Sequence, residues 1–245
     1  MKFPLKNKTV VLTGATSGIG HALLAQLYEG NQIIVVGRSA KKLVALEATY
    51  PDIMVCKADL AVPTCLEAAT TKIIEHFPKV DLLINNAAVQ YMPQFTDKNF
   101  NPALISSEVA VNFISPVLLI SLLLPALLKD TPSAVLNVNS GLGIVPKKSS
   151  AVYCATKGGL NIFSQSLSHQ LADTNIHVLQ AFMPLVDTPM TEGRGRGKIS
   201  AADAAERVIK GVRQLKPNND IGNVKILRFL SRIAPSLARS IMKKR

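Results

Sequence analysis

Short apolar runs alternate with amphipathic stretches along most of this chain, and that alternation constrains the fold more than any other feature. Runs rich in β-branched and aliphatic residues lie at 8–13, 32–36, 53–56, 82–84, 134–138 and 176–181. Segments with helical spacing of apolar residues lie between them, at 19–29, 41–49, 63–77, 100–128 and 153–172. Strands that are apolar on both faces and joined by helices are typical of buried parallel sheets. We therefore expect an α/β fold, a doubly wound parallel sheet with helices on both faces.

Length and composition favour a single domain. The 245 residues contain 48% hydrophobic and 18% charged residues, which excludes a disordered chain. We expect residues 1–245 to form one domain, with a flexible loop at 185–200 and a basic amphipathic segment at 224–245. The longest apolar stretch, 117–128, is interrupted by a serine and a proline and is too short to span a membrane, so it predicts a buried helix.

Cysteine content and charge narrow the class of protein. Cys56, Cys65 and Cys154 are odd in number and lack metal-ligand spacing, so we expect no disulfide framework and no metal site. The N-terminus lacks the apolar region of a secretion signal, which favours a cytoplasmic location. Residues 194–245 hold 14 basic and 3 acidic side chains, whereas residues 1–193 are nearly neutral. We therefore expect no nucleic acid as a partner, because its binders normally carry basic residues over the main domain as well.

A glycine-rich turn follows the first predicted strand. The residues Thr13-Gly-Ala-Thr-Ser-Gly-Ile-Gly20 lead into a helix, at the point where a Rossmann-like fold directs backbone N–H groups at an anion. Larger side chains there would block a pyrophosphate. We therefore expect this turn to bind a dinucleotide through Gly14, Thr16, Ser17, Gly18, Ile19 and Gly20.

The end of the second predicted strand indicates which dinucleotide is bound. The sequence Val36-Gly37-Arg38-Ser39 carries no carboxylate, which would bind a ribose 2′-hydroxyl and repel a 2′-phosphate. The guanidinium of Arg38 is suited to a phosphate instead. The sequence therefore predicts NADP(H) rather than NAD(H), the alternative being that Arg38 is a solvated surface residue.

Four polar residues form a candidate catalytic set. Tyr153 and Lys157 are four residues apart on one face of a predicted helix, so the ammonium is expected to lower the pKa of the phenol and make it a proton donor and acceptor. Ser140 follows the fifth predicted strand, at the edge of the sheet where ligands bind. Asn112 lies in an apolar helix, where its amide needs a buried partner.

Together with two shorter motifs, these residues resemble the short-chain dehydrogenase/reductase family. The elements that match, in the family's order and spacing, are Thr13-Gly-x-x-x-Gly-Ile-Gly20, Ala58-Asp59-Leu60, Asn85-Asn86-Ala87-Ala88, Asn112, Ser140 and Tyr153-x-x-x-Lys157. They span residues 9 to about 190. The turn at Met183-Pro184 departs from the family's usual Pro-Gly.

The resemblance implies direct hydride transfer between NADP(H) and a carbonyl or alcohol. Tyr153 would protonate the carbonyl oxygen and Ser140 would orient it. Lys157 would hold the nicotinamide ribose, and Asn112 would hold a water that relays protons. The remaining cofactor contacts implied are Asp59, Leu60, Asn86, Ala87, Val186 and Thr188. The family resemblance further implies a homodimer or homotetramer.

Topology alone indicates the substrate-facing positions. Loops after the fourth and fifth strands contribute Tyr91, Leu142 and Ile144, which favours a substrate with an apolar body. The run Arg194-Gly-Arg-Gly-Lys198 is suited to cofactor phosphates or to an anionic substrate, with a solvated mobile loop as the alternative.

The segment 224–245 combines basic residues on one helical face with apolar residues on another and is interrupted by Pro235. Contact of this segment with a sister subunit is favoured. Its packing on its own domain and its peripheral contact with an anionic membrane are the alternatives.

The leading hypothesis for the function of the whole chain is an NADP(H)-dependent oxidoreductase. The alternative is a catalytically idle dinucleotide-binding regulator or scaffold that uses this segment to bind a membrane or a protein.

Overall fold

A seven-stranded sheet forms the centre of the protein, which is described by a computed structural model covering residues 2–244. The strands are β1 Thr9–Thr13, β2 Gln32–Gly37, β3 Met54–Lys57, β4 Leu82–Asn85, β5 Ser133–Ser140, β6 Ile176–Met183 and β7 Asn218–Asp220. Their order is β3-β2-β1-β4-β5-β6-β7, and every pair of neighbours is parallel. The doubly wound, Rossmann-like α/β fold is thereby confirmed.

Nine α-helices connect or follow the strands in the described part of the chain. They are α1 Gly18–Leu27, α2 Ala40–Thr49, α3 Pro63–His76, α4 Ala103–Val109, α5 Ser115–Leu127, α6 Ala151–Gln170, α7 Ala201–Arg213, α8 Val224–Ile233 and α9 Pro235–Lys243. The predicted strands and helices are found at nearly these bounds. β7 is the exception: its sequence, Asn-Asn-Asp, has no apolar pattern, and it exists only because β6 offers an edge to pair with.

Helices cover both faces because successive strand residues point to opposite sides of the sheet. Val10 and Leu12 of β1 pack in one apolar cluster with α1, α2 and α7. Val11, between them, packs in a second cluster with α3 and α5. All three side chains have no solvent exposure. Strands buried on both faces explain the continuous apolar runs of the sequence.

The predicted helix over 100–128 is α4, a five-residue π-helix at Ala110–Ile114, and α5. Together these form a helix of 25 residues, Ala103–Leu127, that by length and composition alone could cross a membrane, since an 18-residue window of it has a mean hydropathy of 2.2. Within the stretch 117–128, Leu119 and Leu123 are buried against the sheet, whereas Leu128 is 48% exposed. The expectation of a buried helix is therefore met along one side only.

The neighbouring strands β1 and β4 are the point at which the strand order reverses. Ligands of doubly wound folds bind in the crevice outside the carboxyl ends of the strands at such a point. The glycine turn follows β1, and the loop containing Asn86 follows β4. The topology therefore brings these two segments to one edge of the sheet.

Candidate active site

The glycine turn lies between β1 and α1, as expected. Gly14 and Gly18 have φ angles of +72° and +56°, which residues with side chains rarely adopt. A Cβ atom on Gly14 would lie 2.9 Å from the Cα atom of Ala87, so the turn packs closely on the loop after β4. Ser17 precedes α1 in extended backbone and makes no side-chain capping bond. The first N–H groups of α1 are therefore left without a side-chain cap, as an anion-binding helix end requires.

Thr13, the last residue of β1, joins this turn to the end of β4. Its Oγ1 accepts hydrogen bonds from the backbone N–H groups of Asn86 and Ala87, both at 3.0 Å. The Asn86 side-chain amide donates to the carbonyl oxygens of Thr13 at 3.0 Å and of Gly14 at 3.3 Å. Asn86 and Ala87 thus lie against Gly14. This role of the Thr13 side chain is not visible in the sequence, because its partners depend on how β1 and β4 are aligned.

Three of the other predicted cofactor residues lie at the ends of β2 and β3. Arg38 follows β2 directly, is exposed, and forms no ion pair within residues 2–244. The Asp59 carboxylate accepts the N–H of Ala61 at 3.0 Å, which holds the turn after β3. Leu60 packs against the apolar cluster that contains α3 and α5. Thr16 lies close to the end of β2, since its Cγ2 would be 3.9 Å from a Cβ atom on Gly37.

Ser140, Tyr153 and Lys157 come together at the carboxyl end of β5. Ser140 is the last residue of β5, and the side chains of Tyr153 and Lys157 project from α6, with relative exposures of 9% and 3%. A Cβ atom on Gly143 would lie 2.7 Å from the Lys157 carbonyl oxygen, so the turn after β5 packs directly on α6. The Lys157 Nζ donates to the Val138 carbonyl oxygen at 2.8 Å and lies 5.8 Å from the centre of the Tyr153 ring.

Burial dominates the electrostatics of this group. It raises the pKa of Tyr153, while the hydrogen bond with Ser140 and the charge of Arg194 lower that pKa by less. Burial also lowers the pKa of Lys157 to about 8. The net shift in the pKa of Tyr153 is upward, although the Lys157 Nζ lies 5.8 Å from the centre of its ring. The expectation of a lowered pKa is therefore wrong for the protein alone, because burial outweighs the effects that lower it.

Asn112 is fully buried in the π-helix, a type of helix that often marks functional sites. Its Oδ1 accepts the N–H of Val89 at 2.9 Å, and its Nδ2 donates to the Val89 carbonyl at 2.8 Å and to Thr156 Oγ1 at 3.4 Å. The buried partner predicted for this amide is thus the backbone after β4. Since both side-chain N–H donors are used, this geometry leaves the side chain no donor for the predicted water.

The segment after β6 passes over the glycine turn. Val186 is buried and forms a parallel β-bridge with Ile199. The Thr188 methyl carbon would lie 3.0 Å from a Cβ atom on Gly18, so the two predicted cofactor segments touch. The flexibility expected of residues 185–200 remains a prediction.

The predicted substrate residues contact different surroundings. Tyr91 lines a shallow crevice with residues of α4. Leu142 and Ile144 are partly buried and pack against Val145 and Met242, in a small apolar cluster that includes residues of α8 and α9. Their contact with a substrate remains a prediction.

A buried polar network that sequence reasoning missed lies beneath the site. Asn85 Nδ2 donates to Asn137 Oδ1 at 2.9 Å, and Asn137 Nδ2 donates to Ser164 Oγ at 2.9 Å. Asn139 Nδ2 donates to Gln180 Oε1 at 3.0 Å. The signal for this network in the sequence was the presence of Asn137 and Asn139 in the apolar part of β5. Asn85 Oδ1 has no partner, alone among the buried side-chain polar atoms of residues 2–244, and it is suited to an ordered water.

Comparisons with known proteins agree with this architecture. The model of the short chain dehydrogenase family matches residues 8–198. An uncharacterised oxidoreductase of Bacillus subtilis, DltE, is 35% identical over 189 residues, covering 77% of this chain and 75% of that protein. An uncharacterised oxidoreductase of Staphylococcus epidermidis is 33% identical over 216 residues, covering 86% and 93%.

Two solved structures share the fold at low sequence identity. A short chain dehydrogenase from Burkholderia cenocepacia in complex with NADP is similar with a TM-score of 0.88 and 20% identity, covering 98% of this chain and 99% of that one. A short chain dehydrogenase/reductase from Burkholderia phymatum in complex with NAD is similar with a TM-score of 0.85 and 19% identity, covering 97% of each chain.

Proposed function

Because the chain belongs to the short-chain dehydrogenase/reductase family, and is therefore an oxidoreductase, we propose that it interconverts a carbonyl compound and an alcohol by direct hydride transfer with NADP(H). The observation that carries the proposal is the group formed by Ser140, Tyr153 and Lys157. These buried polar side chains lie at the same edge of the sheet as the glycine turn. Solved relatives of the same fold hold NADP or NAD.

The residues present fit a dinucleotide. Gly14 and Gly18 leave the turn without side chains, and the uncapped start of α1 offers N–H groups to a pyrophosphate. The exposed guanidinium of Arg38 and the absence of a carboxylate at the end of β2 support NADP(H) over NAD(H).

When bound, the nicotinamide supplies or accepts the hydride. Tyr153 donates its phenolic proton to the carbonyl oxygen, and the Ser140 hydroxyl beside it orients that oxygen. Lys157 uses one N–H group on Val138, which leaves two donors for ribose hydroxyls. Burial raises the pKa of Tyr153, so the phenol is protonated at neutral pH and is available as the proton donor to a carbonyl.

Turnover distinguishes this proposal from an idle dinucleotide-binding regulator or scaffold. Purified protein is mixed with NADPH and a panel of aldehydes and ketones, and the absorbance of NADPH is followed. We expect oxidation of NADPH with at least one carbonyl, and loss of that activity by a factor of about a thousand or more in Tyr153→Phe. NADPH binding, measured by its fluorescence, should be retained. Equal turnover by Tyr153→Phe would contradict the assignment of the proton donor, whereas binding without turnover on any carbonyl would favour the regulator.

The proposal extends to partners. A homodimer or homotetramer is supported by the family and by apolar side chains left exposed on the body of the domain, such as Ile114 and Ile162. Helices α8 and α9 present a separate surface, the C-terminal apolar row, which consists of Ile226, Phe229, Ile233, Leu237 and Ile241 and whose members are 39–63% exposed.

Charge favours an anionic membrane as the partner of the C-terminal apolar row. Exposed cations accompany the row at Lys225, Arg232, Arg239 and Lys243, and residues 224–243 contain no Asp or Glu. Two copies joined through this surface by a two-fold axis would bring like charges together, which is unfavourable. Anionic lipid headgroups instead complement the cations while the apolar row enters the interface.

A further inference from the structure

Arg194 lies beside the proposed catalytic group, although it is far from it in sequence. Its Nη1 donates to Gln90 Oε1 at 3.0 Å, and the Gln90 Nε2 donates to Ser150 Oγ at 3.0 Å. Ser150 immediately precedes α6, the helix that carries Tyr153. This chain of hydrogen bonds holds the Arg194 guanidinium over the start of α6, and its charge acts on the Tyr153 phenol.

Lys147 approaches the same place from the loop after β5. The Nζ of Lys147 and the Nη1 of Arg194 lie 4.0 Å and 3.4 Å from the sulfur of Met92, so the two cations flank one methionine. The backbone N–H of Lys147 also contacts the thiol of Cys154, the neighbour of Tyr153. Burial lowers the pKa of Lys147, and the charge of Arg194 lowers it further.

Neither cation has a carboxylate partner within 4.0 Å among residues 2–244. Lys198, in the same loop as Arg194, is paired with Asp187 at 3.1 Å. Glu108 is the buried carboxylate of this region, but its Oε1 accepts the N–H of Tyr91 at 3.1 Å, and burial raises its pKa. The two cations therefore repel each other with no carboxylate of residues 2–244 within 4.0 Å to offset the repulsion, an arrangement that a bound anion would stabilise.

We propose that the substrate carries, in addition to its carbonyl, an anionic group of the carboxylate or phosphate type that is bound by Lys147 and Arg194. This inference rests on the proposed oxidoreductase function. A guanidinium and an ammonium that both lie beside the Met92 sulfur suit a group with several acceptor oxygens. The remainder of such a substrate would lie toward the crevice beside Tyr91, whose lining is mostly apolar but includes Glu108, so the expected apolar body acquires a charged end.

Lys147 and Arg194 form the proposed cation pair, and binding without turnover tests it first. Wild-type protein with NADP+, which cannot reduce an aldehyde, is titrated calorimetrically with 4-formylbenzoate, with its uncharged methyl ester and with 4-formylphenyl phosphate. We expect at least one anion to bind about tenfold or more tightly than the ester, the gain from a charge-assisted hydrogen bond. The stronger of the two anions identifies carboxylate or phosphate. Binding of both anions no tighter than the ester overturns the inference.

Variants that remove the charge of Lys147 or of Arg194 then test whether these two residues bind the anion. Lys147→Gln and Arg194→Gln should each weaken binding of the preferred anion about tenfold and leave the ester and NADP(H) unchanged. Lys148→Gln, at the exposed neighbour of Lys147, and Arg213→Gln, at an exposed arginine of α7, are the matched controls and should leave the binding of all ligands unchanged. If the variants weaken binding of the ester as much as binding of the anion, or if only NADP(H) binding is lost, the cations do not recognise a substrate anion.

Kinetics with NADPH separate this inference from the proposed function. In Lys147→Gln and Arg194→Gln, KM for the preferred anionic aldehyde should rise about tenfold. The kcat should be nearly retained in Lys147→Gln, whereas Arg194→Gln also removes a charge that acts on the Tyr153 phenol. If the wild type binds the anion selectively but reduces none of the three aldehydes, the cation pair stands and the proposed function fails for these carbonyls. If the ester is reduced as efficiently as the anions, the function stands and the cation pair is overturned.

Discussion

At the scale of residues, Lys157 carries an electrostatic cost that is visible in the structure without any ligand. The residue is 3% exposed, and its ammonium donates to one carbonyl oxygen, that of Val138. Burial disfavours the charged form and lowers its pKa to about 8, against about 10.4 for an unperturbed lysine. A cost of this kind is typical of functional sites.

We expect Lys157→Met to raise the melting temperature of the ligand-free protein near pH 7. The unfolded chain binds the proton more tightly than the folded one, so wild-type stability should rise between about pH 8 and pH 10 as Lys157 loses its charge. In Lys157→Met this rise should disappear. Thermal unfolding across that pH range measures both effects, with exposed Lys148→Met as control. An unchanged pH dependence would show that Lys157 is not held charged at a cost.

Arg38 provides a test, also at the scale of residues, of the predicted preference for NADP(H). We expect Arg38→Asp to lower kcat/KM with NADPH by about tenfold to a hundredfold, because a charge-assisted contact with the 2′-phosphate is replaced by repulsion. Activity with NADH should be kept or rise, since the new carboxylate is suited to a ribose 2′-hydroxyl. Measurement of kcat/KM with both dinucleotides checks this, with the exposed Lys129→Asp carrying the same change of charge. A preference that survives in Arg38→Asp would refute the role of Arg38.

At the scale of elements, the pair α8 and α9 has two chemically different sides. Ala238 and Met242 pack against Val145 in a small apolar cluster. The opposite side exposes the C-terminal apolar row. The amphipathic pattern was visible in the sequence, but which apolar residues pack on the domain and which face outward required the structure.

We expect the protein to sediment with vesicles of phosphatidylcholine and phosphatidylglycerol, and to do so less with phosphatidylcholine alone or at high salt. The double variant Phe229→Ser/Ile233→Ser should lose about tenfold or more of this binding, because each side chain contributes apolar area to the interface. Val44→Ser removes an equally exposed apolar side chain from α2 and should bind as the wild type does. If the double variant instead changes only the molecular mass in solution, the row is a contact between subunits and not a membrane surface.

At the scale of the whole molecule, Asp81 joins three strands at the edge of the sheet opposite the active site. Its backbone N–H donates to Thr9, its carbonyl accepts from Ala134, and its carboxylate accepts bonds from the N–H of Thr9 and from Lys8 and Lys79, each at 3.0 Å. Burial alone would raise the pKa of Asp81, but these hydrogen bonds and cations lower it overall.

We expect Asp81→Asn to reduce the free energy of unfolding at pH 7 by about 2 kcal/mol, because it leaves Lys8 partly buried without its charge partner. A lowered carboxyl pKa stabilises the folded state above about pH 4, and this contribution is lost as the pH falls through the folded value. The difference between wild type and Asp81→Asn should therefore shrink in acid. Urea unfolding near pH 7 and near pH 3 measures it, with exposed Asp130→Asn as control. A difference that is constant with pH would exclude the charge as its cause.

The amino-acid sequence alone determined the fold class, because strands buried on both faces leave continuous apolar runs and the helices between them leave a helical period. It also placed the glycine turn, Ser140, Tyr153 and Lys157 at the correct ends of strands and on the correct helix, since these positions follow from local spacing. Only the tertiary structure decided what those side chains meet. Burial raises the pKa of Tyr153, where the sequence predicted a lowered value. Pairing with β6 makes β7 a strand although its sequence has no strand pattern. Arg194 lies beside Lys147, although the two are far apart in the chain. Contacts of this kind join residues far apart in the chain, so they depend on strand register and on the exclusion of water, which no local pattern encodes.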